Sequence, residues 1–269
     1  MSLTLSPPKT IMRAPVAVAS EHLSASQYGT VITTSDGIRL GVDLIADGLR
    51  EPTDLAFTPD GRFFVAERSG RVRVIEQGGI QPEPALTLTD VTITGGGGLL
   101  SLALDPRFER THFLYALYTT SSRSGHSVFR IARFRETMNT LADRAIVLDE
   151  IAPSSSRASA SLRFGPDGML YAAIDDGGDP QRGDDIASFN GKILRLNADG
   201  STPDDQAGLT PVYSCTPISH PGDSIGSLAQ ESSGSPIAIS KVRLGSKASA
   251  EMAAVLDTPW FEPRTRCHV

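Results

Sequence analysis

Apolar and polar residues alternate over short stretches of the chain, and no segment keeps a sustained helical period of apolar positions. Residues 71–75 (RVRVI) alternate one by one, as a half-buried strand does, and residues 192–196 (KILRL) do the same. The second stretch is followed by turn-forming residues at 197–200 (NADG). A helix is predicted only over 184–189, a short segment that opens on acidic residues. The pattern therefore predicts an all-β body over residues 36–214.

An internal repeat organises this body. One copy covers 55–66 (LAFTPDGRFFVA), a second covers 162–173 (LRFGPDGMLYAA), and a looser third begins at 102 (LALDPRF). Each copy predicts an antiparallel hairpin, because Pro presets φ in the turn and Gly accepts a positive φ. The turn prolines lie about 47 and 60 residues apart, and periods of about 40–50 residues with several strands are typical of propeller blades. A β-sandwich is the alternative.

The repeat leads to a structural prediction. We expect about three four-stranded sheets arranged radially within 36–214, with the Pro-Asp-Gly turns at equivalent positions. The residues predicted to be buried by the inner strands are Leu55, Phe57, Val65, Leu102, Leu104, Tyr115, Leu162, Phe164, Tyr171, Ile193 and Leu196.

Composition excludes two function classes. The net charge is −6 and no run of Lys or Arg occurs, which argues against a nucleic-acid partner. No apolar run approaches the ~18 residues of a membrane span. Residues 1–35 are predicted to form a disordered leader, and a degenerate export signal is the alternative, because the apolar stretch at 14–19 (APVAVA) is short.

Four stretches in order carry a family resemblance: 52–75, 98–108 (GLLSLALDPRF), 162–171 (LRFGPDGMLY) and 191–203 (GKILRLNADGSTP). Together they resemble the glucose/sorbosone dehydrogenase family, the soluble pyrroloquinoline-quinone-dependent aldose sugar dehydrogenases. The resemblance implies a six-bladed β-propeller, incomplete here. It also implies oxidation of the CH–OH group of an aldose, with pyrroloquinoline quinone and calcium as cofactors. Family members are commonly periplasmic or secreted, but no clear signal peptide is visible in this sequence.

The positions that the family uses for chemistry carry different residues here. In the family, a histidine just before the Leu-x-Phe-Gly-Pro-Asp-Gly strand acts as general base on the sugar hydroxyl, and its place falls on Arg157. Arginine stays protonated and cannot accept that proton. The family's polar quinone contact falls on Gly96, which has no side chain. The resemblance thus implies the ancestry of a quinoprotein, and we expect this chain to bind neither the quinone nor calcium productively.

An acidic, glycine-rich stretch offers one candidate metal site. Asp175, Asp176 and Asp179 lie close together in sequence, and carboxylates on a Gly-rich loop can wrap a hard cation such as calcium. The stretch lacks the spacing of an EF-hand. The alternative is a solvated acidic turn.

The sequence changes character at residue 215. Residues 215–269 are rich in serine, contain both cysteines, Cys215 and Cys267, and show no family motif. Residues 220–226 can be encoded so that a reading-frame shift gives Pro-Arg-Gly-Phe-Asp-Trp, which resembles the family's next motif. We therefore hypothesise that this disordered tail is translated out of frame. A genuinely divergent C-terminal region is the alternative.

The sequence is consistent with three functions. The first is a truncated and degenerate member of the quinoprotein family, descended from an enzyme that oxidises a sugar substrate. The second is a propeller kept as a non-catalytic binding module, and the third is a metal-dependent sugar-lactone hydrolase that uses the acidic stretch. In each case, open blade edges favour self-association.

Overall fold

The computed structural model describes residues 30–33, 35–76, 79–151, 158–185, 187–206, 212–214 and 237–244. The described residues divide into two units, one within 30–43 and 241–244 and the other within 44–240. In the described residues, no helix is long and apolar enough to cross a membrane.

The first of three successive antiparallel sheets begins at residue 52. It consists of β3 (Pro52–Phe57), β4 (Phe63–Glu67), β5 (Arg71–Glu76) and β6 (Gly79–Ile80), in that order, and the short β7 (Leu86–Thr87) also pairs with β5. The repeat motif supplies β3 and β4, so this sheet is the first blade.

The second and third blades have the same strand order. The second contains β8 (Leu99–Leu104), β9 (Phe113–Ser121), β10 (Ser127–Thr137) and β11 (Thr140–Ile151). The strands of the third blade are β12 (Ala160–Phe164), β13 (Leu170–Ile174), β14 (Lys192–Leu196) and β15 (Val212–Ser214). The predicted all-β body with about three four-stranded sheets is confirmed.

The turns between the first two strands of each blade are equivalent. One backbone hydrogen bond closes each turn: Thr58 N–H to Arg62 O, Asp105 N–H to Phe113 O, and Gly165 N–H to Met169 O. In the two Pro-Asp-Gly copies, the glycines Gly61 and Gly168 have φ of +87° and +77°, the left-handed region that glycine enters at little cost. The looser second copy spans its turn with the one-turn helix α1 (Phe108–Thr111). The predicted equivalence of the turns is confirmed.

The helix predicted over 184–189 is wrong. The helix α2 instead covers Pro180–Asp184. It begins earlier because Asp179 caps it by accepting a hydrogen bond from Gln181 N–H, and Pro180 fits the first helical position, where no donor is needed.

Outside the blades, β1 (Thr30–Thr33), β2 (Arg39–Leu49) and β16 (Ile237–Leu244) form a three-stranded sheet in the order β1-β2-β16. The rest of the predicted leader, before residue 30, lies outside the described residues, as do Cys215 and Cys267. The sequence patterns predicted neither β1 nor β16.

The core lies between the blades. Strand β9 is buried on both faces, because Leu114, Ala116 and Tyr118 pack toward the first blade while Tyr115 and Leu117 pack toward the third. This explains why its sequence is a continuous apolar run rather than an alternating one. Six of the predicted core residues are buried: Val65, Leu102, Tyr115, Leu162, Ile193 and Leu196. Four others are partly buried: Leu55, Leu104, Phe164 and Tyr171.

The prediction that Phe57 is buried is wrong, because its side chain is 70% exposed. Phe57 is the last residue of β3 and shares the face of Leu55, which is not the face that packs on the second blade. Its ring lies 5.4 Å from the ring of Phe63, its partner across the strand pair. The local pattern of the strand does not reveal which of its two apolar faces meets a neighbour.

Candidate functional site

The strand order brings the candidate site residues to one end of the blades. Antiparallel strands alternate in direction, so the Pro-Asp-Gly turns lie at one end, which we call the turn end. The loops between β4 and β5, β9 and β10, and β13 and β14 lie at the other, together with the segments that enter β8 and β12. This second end, which we call the loop end, contains Gly96 and the acidic stretch.

Arg157 itself lies outside the described residues. Its near neighbour Ala158 is described and lies against residues 94–98, which we call the glycine loop. A Cβ atom at position 96 would be 3.6 Å from the backbone N and O of Ala158. The structure therefore brings the segment that follows Arg157 next to Gly96, two places that are far apart in sequence.

The glycine loop has a backbone that few other residues could adopt. Thr94–Gly96 form a single 3-10 turn, and Gly95, Gly96 and Gly98 have φ of +62°, +78° and +135°. The Gly98 N–H donates to Thr119 Oγ1 at 2.7 Å. A Cβ atom at Gly98 would lie 2.5 Å from the backbone O of Arg68, whereas one at Gly96 would meet nothing closer than 3.6 Å. Position 96 therefore has room for a side chain but does not carry one.

Arg68, which the sequence analysis did not single out, supplies the polar group beside Gly96. Its Nη1 donates to Gly96 O at 2.7 Å, and its Nε lies 3.7 Å from Glu51 Oε2. Arg68 lies in the turn between β4 and β5, 28 residues from Gly96. No sequence signal connects the two positions, because only the packing of neighbouring blades brings them together.

The three aspartates of the acidic stretch each serve the local backbone. Asp175 Oδ1 accepts from Gly177 N–H at 2.8 Å, and Asp176 Oδ1 accepts from Gly178 N–H at 2.7 Å. Asp179 caps α2. Among the residues that the structure describes, no group of three or more His, Cys, Asp or Glu side chains is placed to hold a metal ion. The described donor set does not fit calcium.

The two described histidines make short-range contacts. His112 ends α1 in a left-handed conformation, and its Nδ1 lies 3.6 Å from Glu136 Oε2. His126 lies in the turn between β9 and β10, at the loop end, with its Nδ1 3.0 Å from Ser124 Oγ. Both are at the surface. Of the two, only His126 is at the same end of the blades as Gly96.

A polar cluster joins the innermost strands of all three blades. Arg163 donates to both carboxylate oxygens of Asp54, at 2.8 Å each. The hydroxyl of Ser101 donates to Asp54 Oδ2 at 2.6 Å and accepts from Leu162 N–H at 3.0 Å. The sequence contained a faint signal for this cluster, since Asp54 and Ser101 both precede the leucine that opens their copy of the repeat.

The comparison with known proteins agrees with this architecture. The family described as Glucose / Sorbosone dehydrogenase matches residues 49–214, which include all three blades. The chain belongs to the glucose/sorbosone dehydrogenase family. Its fold is a partial β-propeller of the type found in the quinoprotein sugar dehydrogenases.

Two solved structures and one curated relative illustrate the match. The structure of a Thermus thermophilus oxidoreductase, described as a glucose dehydrogenase, is 34% identical, with a TM-score of 0.59 over 65% of this chain and 53% of that one. The PQQ-bound aldose sugar dehydrogenase of Streptomyces coelicolor is 29% identical, with a TM-score of 0.58 over 65% of this chain and 54% of that one. Human Hedgehog-interacting protein is 30% identical over 177 residues, 58% of this chain and 25% of that protein. This chain thus spans about half, or less, of the length of these relatives.

A quinone that carries several carboxylates would have to be held by cations at the loop end. Such a ligand needs cationic side chains that are free to make charge-assisted hydrogen bonds. The guanidinium of Arg68 is bound to Gly96 O and lies near Glu51, and that of Arg71 pairs with Glu67 at 2.7 Å. The ammonium of Lys192 is buried against backbone carbonyls. These three cations are therefore already engaged within the protein.

Proposed function

We propose that this chain is a propeller segment of the PQQ-dependent aldose sugar dehydrogenase type that does not itself oxidise sugars. The observation that carries the proposal is the family match over 49–214 combined with a glycine at position 96 and an arginine at position 157. The scaffold of the family is retained. The position assigned to the general base carries an arginine, which cannot accept a proton, and the position assigned to the quinone contact carries a glycine, which has no polar side chain.

Proton transfer and charge both disfavour sugar oxidation by this chain. Loss of a general base typically lowers the rate by ~10²- to 10⁴-fold, and Arg157 cannot replace it because a guanidinium stays protonated. Loss of cationic partners would also weaken binding of the quinone itself. The two losses act on different steps, so repairing one leaves the other in place.

The test is reconstitution of the full chain with pyrroloquinoline quinone and calcium. We expect no dye reduction with glucose or other aldoses, and none after Arg157→His alone. The Streptomyces coelicolor enzyme, assayed in parallel, controls for the cofactor preparation. Sugar-dependent dye reduction by the unmodified chain would overturn the proposal and make His126 the first candidate for the base.

A second candidate function is a non-catalytic binding module. The observation that favours it is the 30% identity to human Hedgehog-interacting protein, which is named for binding another protein. This function requires a folded chain with saturable affinity for a protein partner and no dye reduction. Failure of the purified, folded chain to bind any protein in a partner screen would count against it.

We also propose that the chain self-associates. Several large apolar side chains of the described residues lie open to solvent, and two of them are on strands and more than 60% exposed: Phe57, at the end of β3, is 70% exposed, and Leu44, in β2, is 62% exposed. Exposed apolar side chains on strands favour pairing with another chain. Light scattering should show oligomers or aggregates. A monodisperse monomer would contradict this expectation.

For residues 215–269 we propose translation out of frame. The proposal is supported by the family-like motif that a shifted frame can yield over residues 220–226, after the family match has ended at 214. Resequencing the gene around codon 215 tests it, and a reproducible in-frame read would refute it.

A further inference from the structure

The ammonium group of Lys192 is fully buried, which is unusual for lysine. Lys192 is the first residue of β14, and its Nζ donates to three backbone carbonyls. The acceptors are Gly183 O at 2.5 Å, Arg182 O at 3.2 Å and Asn190 O at 3.2 Å. The first two carbonyls belong to the last turn of α2, where helix carbonyls lack partners within the helix.

The loop of residues 175–191 is folded tightly around this group. The Gly191 N–H donates to Asp175 O at 3.0 Å, which closes the base of the loop. A Cβ atom at Gly191 would lie 2.8 Å from the Cα of Gly183, so only glycine allows the two backbone segments to approach this closely. Because the two backbone segments lie this close, the carbonyls of Gly183 and Asn190 can both accept hydrogen bonds from the Lys192 ammonium.

The surroundings of Lys192 are those of a bound cation. Burial lowers the pKa of Lys192, and the negative charges of Asp185 and Asp184 oppose that effect. Carbonyl oxygens with nearby carboxylates are also the ligands that hard cations such as calcium select. The carboxylates of Asp175, Asp176 and Asp179, in contrast, are turned to backbone N–H groups of their own loop.

We propose that the Lys192 ammonium is the resident cation of the 175–191 loop and holds the loop in its folded form without calcium. Lys192 is thus a positioning residue. Its ammonium supplies a positive charge within the loop whose sequence suggests calcium binding. This inference concerns the loop alone and holds or fails independently of whether the chain oxidises sugars.

The first test uses the unmodified full chain and needs no variant. Amide hydrogen exchange of residues 175–191, followed by mass spectrometry, should be the same with calcium and with a chelator. Slower exchange in this loop on addition of calcium would overturn the proposal.

The second test removes the charge. Lys192→Met keeps most of the side-chain volume and should speed exchange in residues 175–191 by about tenfold or more, because hydrogen bonds from a charged donor are lost and local opening becomes easier. The matched control is Arg182→Gln, which removes a positive charge from the same loop at a side chain that is 47% exposed. The control should leave exchange unchanged. An unchanged loop in Lys192→Met would refute the proposal.

A third arm separates charge from packing. Lys192→Ala should be restored toward the original exchange rate by propylammonium, which replaces the missing carbons and the ammonium, and not by propanol, which replaces only the volume and a hydroxyl. Equal rescue by both compounds would show that Lys192 acts by filling space, and the proposal would fail. Because propylammonium supplies the missing group, this arm also remains informative if Lys192→Met does not fold.

Discussion

The turn end and the loop end of the blades are held together by different means. At the turn end, the same backbone bridge recurs in each blade, and each turn has an Asp–Arg contact, as between Asp60 and Arg62 or between Asp167 and Arg195. At the loop end, each loop is stabilised in a different way. Glycines with positive φ shape the loop before β8, and a buried ammonium binds the carbonyls of the loop after β13. The repeated part of the sequence therefore encodes the scaffold, whereas the structure of the loop end depends on single residues.

The largest expected effect compares one substitution in the scaffold with the same substitution at the loop end. Arg163→Met should lower the free energy of unfolding by about 2–4 kcal/mol, because it leaves the nearly buried carboxylate of Asp54 without its cation. This range is below that for a fully buried pair, since the Arg163 side chain is 44% exposed. Arg68→Met removes an exposed contact with Gly96 O and should cost about 1 kcal/mol or less.

Denaturant unfolding of both variants measures the difference. Equal losses for Arg163→Met and Arg68→Met would break the distinction between scaffold and loop end. The Asp54–Arg163 contact joins residues 109 positions apart, so the same measurement reports how much this direct contact between the first and third blades contributes to stability.

The next effect compares one glycine from each end. Gly98→Ala places a Cβ atom 2.5 Å from the backbone O of Arg68 and should cost about 2 kcal/mol in the free energy of unfolding. Gly61→Ala, in a Pro-Asp-Gly turn, meets no atom within 4 Å and should cost only the strain of its φ of +87°, about 1 kcal/mol. Thermal unfolding distinguishes the two, and a greater loss for Gly61→Ala would show that packing of the glycine loop is dispensable.

The same division explains how much of the structure could be predicted. The hairpins and turns follow from local patterns of period two and from turn residues, so the repeats were sufficient to predict the first two strands of each blade. The exposure of Phe57 and the contact between Arg68 and Gly96 depend on which blade faces meet, and no local pattern contains that information. The start of α2 could have been predicted correctly from Asp179 and Pro180, a cap and a first-turn proline that the acidic pattern at 184–185 obscured.

Acid should weaken the ion pair between Asp60 and Arg62 at the turn end. The side-chain hydrogen bond from Arg62 holds the pKa of Asp60 well below its usual range, and burial opposes this effect. Because the pKa is lower in the folded state, the stabilisation is present above the unfolded pKa of about 3.9 and is lost as the pH falls below that value. Asp60→Asn should therefore reduce the loss of stability between about pH 5 and pH 2. The effect should be less than about 1 kcal/mol, because the side chain is 53% exposed and water screens the pair.

Unfolding free energies measured at several pH values test this prediction, with Asp143→Asn as the control. The Asp143 side chain is 76% exposed and lies 3.9 Å from Arg135, so its replacement should leave the acid profile nearly unchanged. Equal flattening of the profile by both variants would mean that the loss reflects general charge rather than the Asp60–Arg62 pair.

The smallest expected effect concerns Gly96, which we propose corresponds to the position of the family's quinone contact. Gly96→Asn should change the free energy of unfolding by less than about 1 kcal/mol, because asparagine tolerates a left-handed backbone better than most residues and φ here is +78°. Space is also available, since a Cβ atom at this position would lie 3.6 Å from Ala158, an ordinary van der Waals distance. Thermal unfolding beside Gly98→Ala provides the measurement and its contrast. A small loss would mean that the fold permits a polar side chain at position 96. A loss as large as that of Gly98→Ala would mean that the glycine loop has been repacked in a way that excludes the contact.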